Sequence, residues 1–150
     1  MMDLKYVFFI AAAPEKVWNI LVSPEGTSRT LFGSVIRSSF KPGEDLAYVG
    51  PGNEGDETVH VYGKLLEFIP LERFSYTEHP GPSYSPNHEA LESRITFTLE
   101  SVGECTKLTL VNDKWSSNHP SHSKTQEVWP VVMSNIKTLA ETGQTLDLGW

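Results

Sequence analysis

Trp129, Val132, Met133, Ile136, Leu139 and Ala140 recur at the spacing that lines side chains along one face of an α-helix. Ser123-Lys-Thr-Gln126 leads into this pattern and Gly143 closes it. A long helix with one apolar face has to lie on something. Nearly everything before it reads as strand, so the natural partner is the face of an antiparallel sheet, and the space between the two is the obvious place for a site. Pro130 falls inside the pattern, where it removes one backbone hydrogen bond. It either kinks the helix, which could open a cavity mouth, or marks the helix start.

At 150 residues the chain is read as one domain, 1–150, long enough to bury about two-thirds of its unfolded surface. An apolar fraction of 39% matches a globular protein, and nothing in it calls for lipid, so no membrane partner is expected. A net charge of −7 without a basic cluster lacks the electrostatic footprint that phosphate backbones require, which argues against nucleic acid. Cys105 is alone, which fits a reducing compartment, and the chain is read as cytoplasmic. Tyr6 to Ala13 follows a single nearby Lys and includes only a short apolar run, so it suits a buried strand better than a secretory leader.

Along the chain, Asp3 to Ala12 reads as a strand that hands over to a helix from Pro14 to Val22, with Val17, Leu21 and Trp18 inward. A second short helix is placed at Pro24 to Leu31. Ser34 to Phe40 and Asp45 to Val49 form a hairpin across Lys41-Pro42-Gly43-Glu44, a type II turn by its Pro and Gly positions. Strands follow at Thr58 to Phe68 and Arg73 to Glu78, then a proline-rich surface loop from His79 to Glu89 of the length that often carries function. In Arg94 to Glu100 the alternation puts Ile95, Phe97 and Leu99 on one face; Lys107 to Asn112 returns with Leu108 and Leu110 on the same side. Polar residues Lys114 to Ser123 connect to the last helix. The fold class is α+β: a curved antiparallel sheet of about seven strands around a long C-terminal helix, with two short helices after the first strand.

That order carries specific words: Ala13-Pro-Glu-Lys-Val-Trp18, Phe40-Lys-Pro-Gly43, Gly63-Lys-Leu-Leu-Glu67, Glu92-Ser-Arg-Ile-Thr-Phe-Thr-Leu99, Thr106-Lys-Leu-Thr-Leu110, and Trp129 to Leu139 with Glu141-Thr-Gly143. Together they resemble the helix-grip fold of the START and Bet v 1 superfamily, and within it the branch of homologues of the activator of the heat-shock-protein-90 ATPase. The resemblance implies a cavity between sheet and helix for an apolar small molecule. Fold alone underdetermines function, since the superfamily ranges from carriers to cyclases. Two departures stand out: Ala140, where the family often has a larger residue, and the His79 to Glu89 loop, which matches none of the words.

On these grounds the expected ligand-binding residues are Phe40, Tyr48, Val61, Phe74, Tyr76, Phe97, Trp129, Val132, Met133 and Ile136. Core packing explains any single one of them more readily than ligand contact does; the resemblance shifts the set toward a cavity. Tyr76 is the polar group best placed in a pocket, while Glu78, near a strand end, can reach solvent. Arg94 and Glu92 share a strand face opposite the apolar one, which favours a surface ion pair over a ligand contact. His60, between Val59 and Val61, faces solvent without a role if those valines point inward. His119 and His122 have suggestive spacing, but Pro120 lies between them and no third ligand is evident, so no metal site is assigned. Cys105 has no histidine nearby in sequence, and Gly50-Pro-Gly-Asn-Glu-Gly55 is acidic and not followed by a helix, so neither a nucleophile nor a phosphate loop is assigned. The expectation is a carrier or sensor of a small hydrophobic or aromatic molecule such as a lipid, polyketide or flavonoid, with no catalytic residue and no cofactor. The alternatives are chaperone-ATPase stimulation and a cyclase or hydrolase, and homodimer formation stays open. Two buried ionisable groups facing one void would raise the enzyme reading.

Overall fold

Sequence-local signals explain most of the elements. In a computed structural model describing residues 1–149, the order is β1 (Leu4–Ile10), α1 (Pro14–Val22), α2 (Pro24–Thr30), β2 (Val35–Ser38), β3 (Asp45–Pro51), β4 (Glu57–Ile69), β5 (Arg73–Pro80), a 3₁₀ turn (His88–Ala90), β6 (Ser93–Val102), β7 (Cys105–Asp113) and α3 (His122–Thr142). Pro14 and Pro24 each open a helix, where a missing N–H costs nothing. Ser23 caps α2 by accepting from the Gly26 amide at 3.2 Å. The weakly patterned α2 is held against α1 because Gly26 lets the backbones meet; a Cβ there would stand 2.4 Å from the Ile20 backbone. Gly43, at φ +90°, with the Glu44 amide donating to the Lys41 carbonyl at 3.0 Å, is the type II turn that the sequence demanded.

The strands form one antiparallel seven-stranded sheet in the order β1-β7-β6-β5-β4-β3-β2. β4 carries two irregularities. His60 is an extra residue between the pairs Tyr48↔Val61 and Val49↔Val59, and Leu66 is another between Leu65↔Tyr76 and Glu67↔Ser75. Bulges of this kind bend a strand and sharpen its twist, which curves the sheet around α3. The inner face contributes Tyr48, Phe74, Tyr76, Ile95, Phe97, Leu99, Leu108 and Leu110 to one core with Trp129, Val132, Met133, Ile136, Leu139 and Ala140 of α3. Val17, Trp18 and Leu21 of α1 point inward as read from the sequence, joined by Ile20. No helix among the described residues is long and apolar enough to cross a membrane.

Helix α3 runs through Pro130 instead of starting there. Proline has no N–H for the carbonyl four residues back, which is that of Gln126, and the Tyr6 hydroxyl of β1 donates to that oxygen at 3.1 Å. The same helix is tied to β1 and its flanking residues by His122 Nε2 donating to Met2 O at 2.8 Å, Lys137 Nζ to Phe9 O at 2.8 Å, and the Ala11 amide to Glu141 at 2.7 Å. Tyr6→Phe is expected to cost about 1 kcal/mol, read as a lower urea midpoint with faster amide exchange around the Pro130 turn. An unchanged midpoint and unchanged exchange would show that water serves the carbonyl as well.

One expectation about local structure is corrected, and one segment shows more burial than its polarity suggests. β5 continues through His79 to Pro80, because Pro80 pairs only with Val61 of β4 and its N-side faces no partner on β6, where pairing ends at Glu78↔Ser93. The polar connection before α3 is not all solvated: His119 is buried, and His119 and His122 stand edge-on to the Trp115 ring.

Candidate functional site

The C-terminal half of α3 packs directly on the sheet through Met133, Ile136, Leu139 and Ala140. Under its N-terminal half the packing opens into a cavity of about 470 Å³. The walls come from five parts of the chain: Leu31 and Phe32 after α2, Tyr48 and Pro51 of β3, His60 and Val61 of β4, Glu78 of β5 with Tyr84 from the following loop, and Lys124, Val128, Trp129 and Val132 of α3. Phe32 and Tyr84 are 58% and 61% exposed, so the cavity opens to solvent on their side. Phe32 and Gly33 both have positive φ, +53° and +89°, which turns the chain sharply at that mouth.

Of the residues expected from sequence, Tyr48, Val61, Trp129 and Val132 line this cavity. Tyr76, Phe97 and Ile136 border a void of about 10 Å³ behind it, which has room for at most a water molecule. Met133 is fully buried in the core, and Phe40 and Phe74 stack into an aromatic cluster with Trp18 and Phe68, away from both spaces. Ala140 is buried in the packed half of α3 and does not touch the cavity.

The polar groups of the cavity are few and specific. The Tyr48 and Tyr76 hydroxyls hydrogen-bond to each other, and burial raises the pKa of both, with the nearby Glu78 adding to the shift. Glu78 is the only acid of the lining among the described residues. Desolvation pushes its carboxyl up to about 7, and no hydrogen bond or ion pair reaches its side chain among the described residues. The side chain keeps some accessible surface because it faces the cavity, but protein surrounds it closely. As expected from the sequence it keeps a path to solvent, but through the cavity and not at a strand end, because β5 runs on past it.

His60 is the second correction. Strict alternation would send it away from Val61, but as the extra residue of the bulge it lines the same cavity as Val61, while Val59 is 37% exposed on the other side. Its Nε2 donates to the Pro51 carbonyl at 3.1 Å, which leaves Nδ1 to accept from the Tyr84 hydroxyl. Tyr84 is thereby tied to the cavity rim, and with it the middle of the unmatched loop, whose two ends are pinned by Tyr62 stacking on His79 and hydrogen-bonding His88. No signal short of the bulge itself could have found His60, while Tyr84 lies in the long loop whose length alone pointed to function.

Other candidates resolve as structural. Arg94 lies on the outer face as expected, and its partner is Asp113 directly opposite on β7, in a two-pronged pair at 2.8 and 2.7 Å. His79, not Arg94, is the neighbour of Glu92, at 3.5 Å. His119 accepts from the Ser121 amide at 3.2 Å, and burial lowers its pKa. No group of three or more His, Cys, Asp or Glu residues able to hold a metal occurs among the described residues. Behind the cavity, Asn112 is fully buried: its Oδ1 accepts from the Trp129 indole at 3.0 Å, and its Nδ2 donates to Ser93 Oγ at 3.0 Å and Arg94 O at 2.9 Å. This knot fixes the ring that forms the cavity's inner wall.

Solved structures with this architecture include a protein of Mesorhizobium loti, 19% identical with a TM-score of 0.73 over 92% of this chain and 96% of that one. The Aha1 dimer of Colwellia psychrerythraea is 20% identical with a TM-score of 0.71, over 95% and 98% of the two chains. A protein of Arthrobacter aurescens is 16% identical with a TM-score of 0.77, over 97% and 90%. At these identities the likeness is one of fold. No curated protein matches the sequence. Residues 11–141 match the family described as activator of Hsp90 ATPase homolog 1-like protein, and the chain belongs to that family.

Proposed function

We propose that this protein binds a small hydrophobic or aromatic molecule beneath α3, as a carrier or sensor. The observation that carries the reading is the cavity of about 470 Å³. Its size falls within the roughly 300–1,000 Å³ of small-molecule sites, and it combines apolar and aromatic walls with few polar groups. The family's fold supports a ligand-binding domain in general. Cytoplasmic residence belongs to the same proposal and is supported by the lone Cys105. So does self-association, supported by the dimer described for the Colwellia relative. Stimulation of a chaperone ATPase has the family description behind it and no feature of the cavity.

Titration of the isotope-labelled protein with a panel of flavonoids, lipids and polyketides is expected to shift the amides of Tyr48, Val61, Trp129 and Val132, leaving those of Phe40 and Phe74 in place. No shift around Trp129 with any apolar ligand would overturn the reading. One observation favours a catalytic variant: Glu78 and Tyr48, both ionisable, face one cavity, and a carboxyl titrating at about 7 suits general acid–base work. New ligand resonances growing in during the same titration would mark turnover.

A further inference from the structure

We propose that the ligand is a cation: a molecule with an aromatic or alkyl body and a protonated amine that pairs with the Glu78 carboxylate inside the cavity. The proposal rests on the binding reading above and names the chemistry of its polar end. A carboxylate held among protein atoms without a partner is costly, and such groups are normally paired. Glu78 has no such partner among the described residues. Every element around it supplies something other than a cation. Its own strand gives Tyr76, β3 gives Tyr48, the residue opposite on β6 is Ser93, and the loop after β5 gives Tyr84. On β4, His60 has both ring nitrogens engaged, by Pro51 and Tyr84.

The remaining candidate is Lys124 of α3, the only Lys or Arg of the lining. It is exposed at the mouth, forms no ion pair among the described residues, and does not contribute to the titration of Glu78, whose shift has desolvation as its cause. The position of a counter-cation is therefore left to the ligand.

The walls favour an ammonium group over a neutral donor. Phe32, Tyr48, Tyr84 and Trp129 line the space, and the faces of such rings attract cations. A net charge of −7 also draws cations toward the molecule. An acceptor-bearing ligand, such as a ketone, would use the Tyr48 hydroxyl and a protonated Glu78, and its affinity would run the opposite way with pH.

The test is calorimetric titration with a matched pair, naphthylethylamine and naphthylethanol, at pH 6 and pH 8. The amine is expected to bind at least about tenfold more tightly than the alcohol at pH 8, and about tenfold more weakly at pH 6 than at pH 8, as Glu78 takes up a proton. In the Glu78→Gln variant both the amine preference and its pH dependence should vanish while the alcohol still binds, which also reports that the variant is folded. Equal affinities for amine and alcohol would overturn the cation while leaving the binding reading intact. So would tighter amine binding at pH 6, or a preference and pH dependence that survive Glu78→Gln and so belong to His60 or Lys124. Binding of neither compound at millimolar concentration also overturns the cation, and the broader reading falls with it only if the apolar panel fails too.

Discussion

Replacing Asn112 with alanine is expected to remove about 4 kcal/mol of stability, summed from stranded buried groups and the space left behind. Asn112 is fully buried, and its amide serves the Trp129 indole, the Ser93 hydroxyl and the Arg94 carbonyl at once. Truncation leaves the Trp129 N–H in a dry interior with nothing to donate to, and frees Ser93 Oγ and Arg94 O from their donor. Against a total of about 5–15 kcal/mol for a domain of ordinary size, this is a large fraction. Urea denaturation measures it. The double-mutant cycle with Trp129→Phe isolates the indole contact: once the indole is gone, Asn112→Ala should cost about 1–2 kcal/mol less. A loss below about 1 kcal/mol for Asn112→Ala alone would mean that the knot relaxes or admits water, and the inner wall of the cavity would not be fixed in the way described.

The second large effect has the opposite sign. Glu78→Gln is expected to stabilise the free protein at pH 8 and to do nothing at pH 4. An unfolded glutamate titrates near 4.5 and Glu78 in the fold at about 7, so between those values the folded protein binds more protons than the unfolded chain. Stability therefore falls as pH rises through that window, is free of the penalty below pH 4.5, and carries it in full above pH 7. At 1.36 kcal/mol per pH unit, and allowing for water reaching the carboxyl from the cavity, the cost at pH 8 is about 2–3 kcal/mol. The neutral amide escapes it, and the variant should melt roughly 5–10 °C higher than the parent at pH 8. An equal gain at pH 4 and pH 8 would trace the effect to packing instead of desolvation. A residue that lowers the stability of the empty protein, and whose removal abolishes amine binding, is the pattern expected where function and stability trade off.

What the sequence made legible follows the reach of its periodicities. The alternation in β6 placed Ile95, Phe97 and Leu99 in the core, and helical spacing placed Trp129 to Ala140 on the sheet. Both signals average over many residues and survive small errors at either end. The site depended on departures from period. One extra residue in β4 turned His60 toward the cavity, and a period of two contains no trace of an insertion. Two further residues carried β5 past Glu78 and left it facing the cavity instead of a strand end, because a proline at the end of a strand can pair on one side only. Tyr84 reached the rim through a loop whose path no local rule fixes. Tyr48 and Trp129, singled out by aromatic content, line the cavity, but aromatic content could not separate them from Phe74 or Phe97, since a ring that fills a core and a ring that borders a void obey the same preference for burial.

The bonds from Tyr6 to Gln126 and from His122 to Met2 each close a loop of 120 residues. During synthesis β1 emerges long before the helix that completes it, so until α3 arrives its inner side chains face water and its end of the sheet stays uncovered. Closing so wide a circuit is slow compared with forming the neighbouring hairpins. The sheltered hollow under α3 is thus a late product of folding, and a guest molecule can be captured only after the whole circuit has closed.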